Sequence, residues 1–158
     1  MTAEAALTID SPLGPITIRE RDGALSAIDF KAFGRQTPTP LLRKAAAQLA
    51  EYFAGDRTTF DLPLAPPHSA FQGRLRAAML AIPYGETRSY GALATELGSV
   101  PRAVGQACGD NPIPIIVPCH RVLAAGGRIG GYSAGKGRET KRWLLGHEAR
   151  PTLFTAQR

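Results

Sequence analysis

Cysteine is scarce in this chain: only Cys108 and Cys119 occur among 158 residues. That excludes a disulfide framework, and a single bridge would suit an oxidising compartment for which the chain carries no address. Both cysteines are therefore read as free thiols. Histidine is almost as scarce. His68, His120 and His147, set against the two cysteines, match no recognised metal-ligand spacing, so no metal and no cofactor is expected. No apolar run approaches the ~20 residues that a bilayer-spanning helix needs. Residues 1–7 carry Glu4 and lack a basic segment leading into an apolar core, so no secretory signal is read. These absences point to a globular cytoplasmic protein with no membrane partner. Internal repeats and low-complexity segments are also missing.

The charge present is unevenly placed. Residues 1–69 hold 7 basic and 8 acidic side chains, and residues 70–158 hold 12 basic and 5 acidic. The net charges are −1 and +7, within a total of +6. A cationic half suits a polyanionic partner, nucleic acid above all, although solubility alone explains such a pattern equally well. The pattern of elements divides the chain in the same way. Residues 6–10, 15–19 and 24–30 alternate apolar and polar side chains around turns at Ser11-Pro12-Leu13-Gly14 and Arg21-Asp22-Gly23, which predicts a three-stranded meander with one face to bury. Leu42, Ala45, Ala46, Leu49 and Phe53 form one stripe of a helix over 41–53, stopped by Gly55 and covering the meander. Residues 61–69, with Pro63, Pro66 and Pro67, read as a linker.

The basic half reads as mostly helical. Helices are predicted over 70–82, 89–97 and 102–109. The last two, separated by Gly98-Ser99-Val100-Pro101, read as a helix-turn-helix. The second is lined with small residues, Ala103, Gly105, Ala107 and Gly109. This fits either tight packing on a neighbour or close approach to a narrow groove. Residues 113–117 read as extended and buried, residues 122–129 as a hairpin turning at Gly126-Gly127, and residues 138–145 as a final helix before His147-Glu148 and a frayed tail over 149–158.

At the end of the buried run stands Pro118-Cys119-His120-Arg121. A thiolate is a strong nucleophile, and a neighbouring base or cation raises its population at neutral pH. Cys119 is the candidate nucleophile and His120 its candidate base.

A nucleophilic Cys-His pair behind a helix-turn-helix in a basic domain resembles the methylated-DNA–protein-cysteine methyltransferases, the O6-alkylguanine-DNA alkyltransferases. The resemblance is carried by Phe71-Gln72, Ile82-Pro83-Tyr84-Gly85-Glu86-Thr87, Ser89-Tyr90-Gly91, Arg102-Ala103-Val104-Gly105, Asn111-Pro112, Val117-Pro118-Cys119-His120-Arg121-Val122, Gly131-Tyr132-Ser133 and Trp143-Leu144-Leu145-Gly146-His147-Glu148. It implies an α+β protein. A small antiparallel sheet with a helix, RNase H-like, would form an N-terminal support domain with its linker over residues 1–69. A mostly helical, winged-helix-like domain with the helix-turn-helix would fill residues 70–158. It implies a repair protein acting once per molecule, as a monomer, on double-stranded DNA containing O6-alkylguanine, and by extension O4-alkylthymine. The base is flipped out of the stack, and Cys119 takes the alkyl group irreversibly.

In that scheme His120 takes the Cys119 proton through a water, Glu148 orients His120, and Tyr90 donates to the leaving base. Arg102 fills the space of the flipped nucleotide. Ala103, Gly105 and Gln106 lie along the DNA. Asn111 ties the helix-turn-helix to the active strand. The Val122 carbonyl accepts from the guanine amino group, and Ser133 lies near O6. Two departures from the family pattern stand out. Arg76 occupies a position where a tryptophan is usual, and the turn before Arg102 is about two residues shorter. Competing readings are a non-catalytic lesion binder, a sequence-reading regulator and a cysteine hydrolase.

Overall fold

The computed structural model describes residues 4–149, which divide into two compact units meeting in sequence at Ala65 and Pro66. The fold class is α+β. Among the described residues, no helix is long and apolar enough to cross a membrane.

The first unit is built on β1 (Ala5–Ile9), β2 (Ile16–Arg21) and β3 (Ala24–Asp29), an antiparallel sheet in the order β1-β2-β3. Leu7, Ile18 and Ile28 stand in register across the three strands. Asp22 and Gly23 both have positive φ, which matches the twist of a tight hairpin and explains the short β2–β3 turn. Helix α1 (Pro40–Phe53) begins where the Thr39 hydroxyl accepts from the Leu42 N–H at 3.0 Å and Pro40 presets the first turn. Its Leu42, Ala45, Leu49 and Tyr52 are fully buried, as are Ile16, Ile18 and Leu25 of the sheet.

Two expectations change in this unit. The meander buries part of both faces, since Thr17 is also fully buried. The Thr17 hydroxyl is satisfied by the Lys31 carbonyl at 2.7 Å and by Thr8 at 2.8 Å. The first part of the expected linker is tied down as well. Leu25 N–H donates to Pro63 at 2.9 Å, Ala65 N–H donates to Leu25 at 2.8 Å, and the buried Gln48 side chain both donates to and accepts from the Asp61 backbone.

The second unit contains α2 (Ala70–Leu80), β4 (Arg88–Ser89), α3 (Tyr90–Leu97), α4 (Pro101–Gly109), β5 (Val122–Leu123) and α5 (Arg138–Ala149), with 3₁₀ turns at Cys119–Arg121 and Ala125–Gly127. Ser69 and Ser89 cap α2 and α3 by accepting from Gln72 and Ala92. Gly98, in the left-handed region at φ 65°, ends α3, and Pro101 opens α4 two residues after Ser99. Helix α2 packs against both α3 and α4. The core is formed by Leu75, Met79, Ile82, Leu93, Val104, Ile113 and Leu144.

Three sequence expectations are corrected here. Residues 113–117 are buried but fold back on themselves. Val117 N–H donates to Ile113 at 2.9 Å, and Ile115 sits at φ 73°, an uncommon conformation for a β-branched residue. Residues 122–129 are not a two-stranded hairpin. Strand β5 pairs in parallel with β4, and Ala125–Gly127 forms a 3₁₀ turn closed by Ala124 N–H to Arg128 at 2.8 Å. The final helix extends to Ala149, so Glu148 belongs to its last turn. The remainder of the expected tail, residues 150–158, lies outside the described residues.

Candidate active site

Cys119 owes its position to a chain of local bonds. Asn111 accepts from the Ile113 N–H at 3.1 Å and donates through Nδ2 to the Val117 carbonyl at 2.9 Å, so one side chain fixes both ends of the buried turn. Pro118, at φ −82° and ψ 65°, then makes an inverse γ-turn, with Cys119 N–H donating to Val117 at 2.8 Å. The following 3₁₀ turn sends three side chains apart. Cys119 faces a cavity of about 560 Å³, while His120 and Arg121 are buried behind it.

The buried side is an ionic cluster. Glu148 Oε2 stands 2.7 Å from His120 Nε2, and its carboxylate accepts from Arg121 Nε at 2.7 Å and Nη2 at 3.1 Å. Arg121 Nη1 donates to the Ile82 carbonyl at 2.8 Å. Burial alone would raise the Glu148 pKa, but the bonds and charges of His120 and Arg121 outweigh it and hold the group at about 2. Burial lowers the His120 pKa, against the pull of Glu148. A neutral imidazole donating from Nε2 leaves Nδ1 as an acceptor. Nδ1 is buried and has no hydrogen-bond partner among the described residues.

On the cavity side, Cys119 is joined by Tyr90 from α3, by Arg102, Gly105 and Gln106 from α4, and by Ser133. Arg102 and Gln106 are exposed. Ser133 Oγ donates to the Gly109 carbonyl at 2.7 Å. A methyl group added at Gly105 would meet nothing within 4 Å, so packing inside the unit does not require glycine there. Of the other small residues, Ala103 is half-buried, while Ala107 is turned into the core and cannot share an exposed face with Gly105.

Burial pushes the Cys119 thiol above its ordinary range, opposed by Asn111, Lys141 and Tyr132. The Tyr132 hydroxyl is near enough to influence the sulfur, and it is buried with no hydrogen-bond partner among the described residues. Nearness to His120 in the sequence is thus offset by burial at the thiol. Tyr90 is pushed up to about 12, first by burial and then by the two cysteines.

Sequence reasoning missed two groups. Arg121 shares Glu148 with His120. Lys141 is fully buried, and its ammonium donates to the Val122 carbonyl at 2.7 Å, to Gly131 at 3.3 Å and to Tyr90 Oη at 3.4 Å. The signal for Lys141 was its place on the stripe Thr140, Lys141, Leu144 and Glu148, all buried on one face of α5. Arg76, the departure noted above, is half-buried, and burial lowers its pKa.

A family model described as 6-O-methylguanine DNA methyltransferase, DNA binding domain, matches residues 70–150. A second, described as its ribonuclease-like domain, matches residues 6–66. The chain belongs to the methylated-DNA–protein-cysteine methyltransferase family. The Mycobacterium tuberculosis methylated-DNA–protein-cysteine methyltransferase is 46% identical over 147 residues, covering 87% of this chain and 88% of that protein. The constitutive Bacillus subtilis methyltransferase is 42% identical, covering 89% and 93%. Among solved structures, the M. tuberculosis O6-methylguanine methyltransferase superposes with a TM-score of 0.82 at 41% identity, covering 99% of this chain and all of that one. The M. tuberculosis OGT in complex with DNA gives 0.79 at 46% identity, covering 90% and 91%. Members of this methyltransferase family are transferases that act on DNA, and the cavity that Cys119 faces is also lined by the exposed Arg102.

Proposed function

We propose that the cavity receives an O6-alkylated guanine flipped out of duplex DNA and that Cys119 takes its alkyl group, once per molecule. The observation that carries this reading is the division of labour at the 3₁₀ turn: Cys119 faces an open cavity while the neighbouring His120 is held from behind by Glu148. Nδ1 of His120 accepts the Cys119 proton through a water. The sulfur then attacks the alkyl carbon in line, and an S–C bond forms as the C–O6 bond breaks. Glu148 keeps the imidazole in the accepting tautomer and stabilises the imidazolium that results. Tyr90 donates a proton to the departing guanine, whose negative charge would otherwise be stranded. A Tyr90 pKa near 12 suits a group that must remain protonated until that moment. The Val122 carbonyl, with one lone pair engaged by Lys141, has a second for the guanine amino group.

Helix α4 lies along the minor groove. The open space at Gly105 lets backbone approach DNA closely, and Arg102 takes the place of the flipped nucleotide, where its plane stacks and its charge persists. Ala103 and Gln106 contact the strand, Ser133 lies near O6, and Asn111 acts from beneath by fixing the turn. O4-alkylthymine fits the same chemistry. The protein acts as a monomer in the cytoplasm, on double-stranded DNA, without a cofactor. A non-catalytic lesion binder would have no use for Cys119 or for the His120–Glu148 pair behind it.

The test is mass spectrometry after incubation with duplex DNA carrying O6-methylguanine. One methyl group gained on the Cys119 peptide, saturating at one per protein and absent from Cys119→Ala, is the expected result. Lesion binding with no mass gain would overturn the transfer and favour the binder.

A further inference from the structure

The mechanism leaves a second thiol of the cavity unused. Cys108, on α4, lines the same cavity as Cys119, and its Sγ lies 3.8 Å from the Met79 Sδ. The chain contains two cysteines and two methionines, so three of its four sulfur side chains are gathered here. Packing alone does not require a thiol at this position, since any small apolar side chain would serve.

Two thiols with an adjoining thioether form a soft donor set. Such ligands select d¹⁰ cations of the Cu(I) kind over magnesium, calcium or manganese, which prefer oxygen. The rest of the cavity agrees: among the described residues no carboxylate lines it. Nor, among the described residues, is there any group of three histidine, cysteine or acidic ligands that would suit a harder ion. Charge also favours a monovalent cation. Two thiolates around one such ion carry a net charge of −1, and the buried Lys141 ammonium acts on both sulfurs in the direction that favours their ionised form.

We propose that Cys108 and Cys119 together form a binding site for a soft monovalent d¹⁰ metal cation, Cu(I) in class, which masks the alkyl acceptor. Binding breaks two S–H bonds and forms two sulfur–metal bonds. Two protons pass to solvent, and no electron changes hands. The site competes with the proton load imposed by burial, so affinity rises with pH. Masking is reversible, unlike alkylation, because a stronger ligand can withdraw the ion and return a free thiol.

The experiment is anaerobic titration of the reduced full-length protein with Cu(I) against a chromogenic Cu(I) chelator, followed by alkyl transfer from O6-methylguanine DNA. The expected result is one Cu(I) per protein, loss of alkyl transfer in the loaded form and recovery when excess chelator is added. Cys108→Ala and Cys108→Ser, two variants chosen so that a folding defect in one does not decide the matter, should bind Cu(I) more weakly by at least about tenfold. At the loading that silences the natural chain, each should retain transfer relative to its own metal-free rate. Equal Cu(I) affinity in both variants, or full alkyl transfer by the loaded natural protein, would overturn the site. Metal stoichiometry is read independently of alkyl transfer, so failure of the repair reading and failure of this site are distinguishable.

Discussion

Replacing Glu148 with glutamine is the sharpest perturbation of the buried cluster. The side chain is 4% exposed, and its pKa is held at about 2 against an ordinary 4.5. That difference corresponds to about 3 kcal/mol of stability at neutral pH. Exposure does not discount it, and the loss of one partner from a buried ion pair falls in the same range. Glu148→Gln keeps the shape but removes the charge, leaving Arg121 buried beside a neutral amide. For a chain of this length, the expected fall in Tm is roughly 6–12 °C at pH 7. The sign of the pH dependence follows from the direction of the shift. A carboxylate with a depressed folded-state pKa contributes fully above its ordinary value and loses that contribution as pH falls from 4.5 towards 2. The gap between natural and variant proteins should therefore shrink to about 1 kcal/mol at pH 3. Urea unfolding at pH 7 and pH 3 measures both gaps. A gap of the same size at both pH values would refute the electrostatic account and leave only packing. Alkyl transfer should also slow by about 100-fold, because His120 loses the partner that fixes its tautomer.

Other predictions follow from the cavity. Gly130 has φ 70°, and a methyl group there would stand 3.1 Å from Tyr90 Cε2 and Oη. Gly130→Ala should cost about 1 kcal/mol in urea unfolding and slow transfer by displacing the proton donor; unchanged transfer would remove Tyr90 from the chemistry. Arg102→Ala should weaken duplex binding and reduce its salt dependence, while the rate on a free O6-benzylguanine base stays unchanged; slowing on the free base would place Arg102 in the chemistry instead. With burial holding Cys119 above the ordinary thiol value of 9.0, the rate on the free base should still be rising at pH 9; a plateau near neutrality would show that ionisation of the thiol does not limit the rate.

The local elements were legible because each carries its own signal. The stripe of Leu42, Ala45 and Leu49 announces a helix, Gly55 and Gly98 announce helix ends, and Pro118-Cys119-His120-Arg121 announces the chemistry. What the sequence concealed depends on long-range pairing. Parallel pairing of β4 with β5 joins two-residue strands separated by 32 positions, too short for any periodicity to show. The buried turn at residues 113–117 is held by Asn111 acting on both of its ends, and the apolar run alone reads equally well as a strand. Arg121 stands next to the Cys-His pair in the sequence, but its partner Glu148, 27 residues later and 2.7 Å away, carries no local signal.

Lys141 shows why a hydrophobic stripe should be read for its exceptions as well as its pattern. Burying an ammonium is costly, and α5 places one at full burial with only neutral oxygens as hydrogen-bond acceptors among the described residues. Glu148, the carboxylate of the cluster, is already engaged by Arg121 and His120. The groups beside Lys141 at the cavity that can become anions are Tyr90 and the two thiols, and the charge of Lys141 favours ionisation of Cys119. A resting site with an excess cation is thus poorly balanced until the sulfur gives up its proton, and becomes balanced as it does so. Part of the cost of folding this helix with Lys141 inside is recovered at the step that makes the nucleophile. Interactions stronger in the reacting state than in the resting state are the ones that accelerate chemistry.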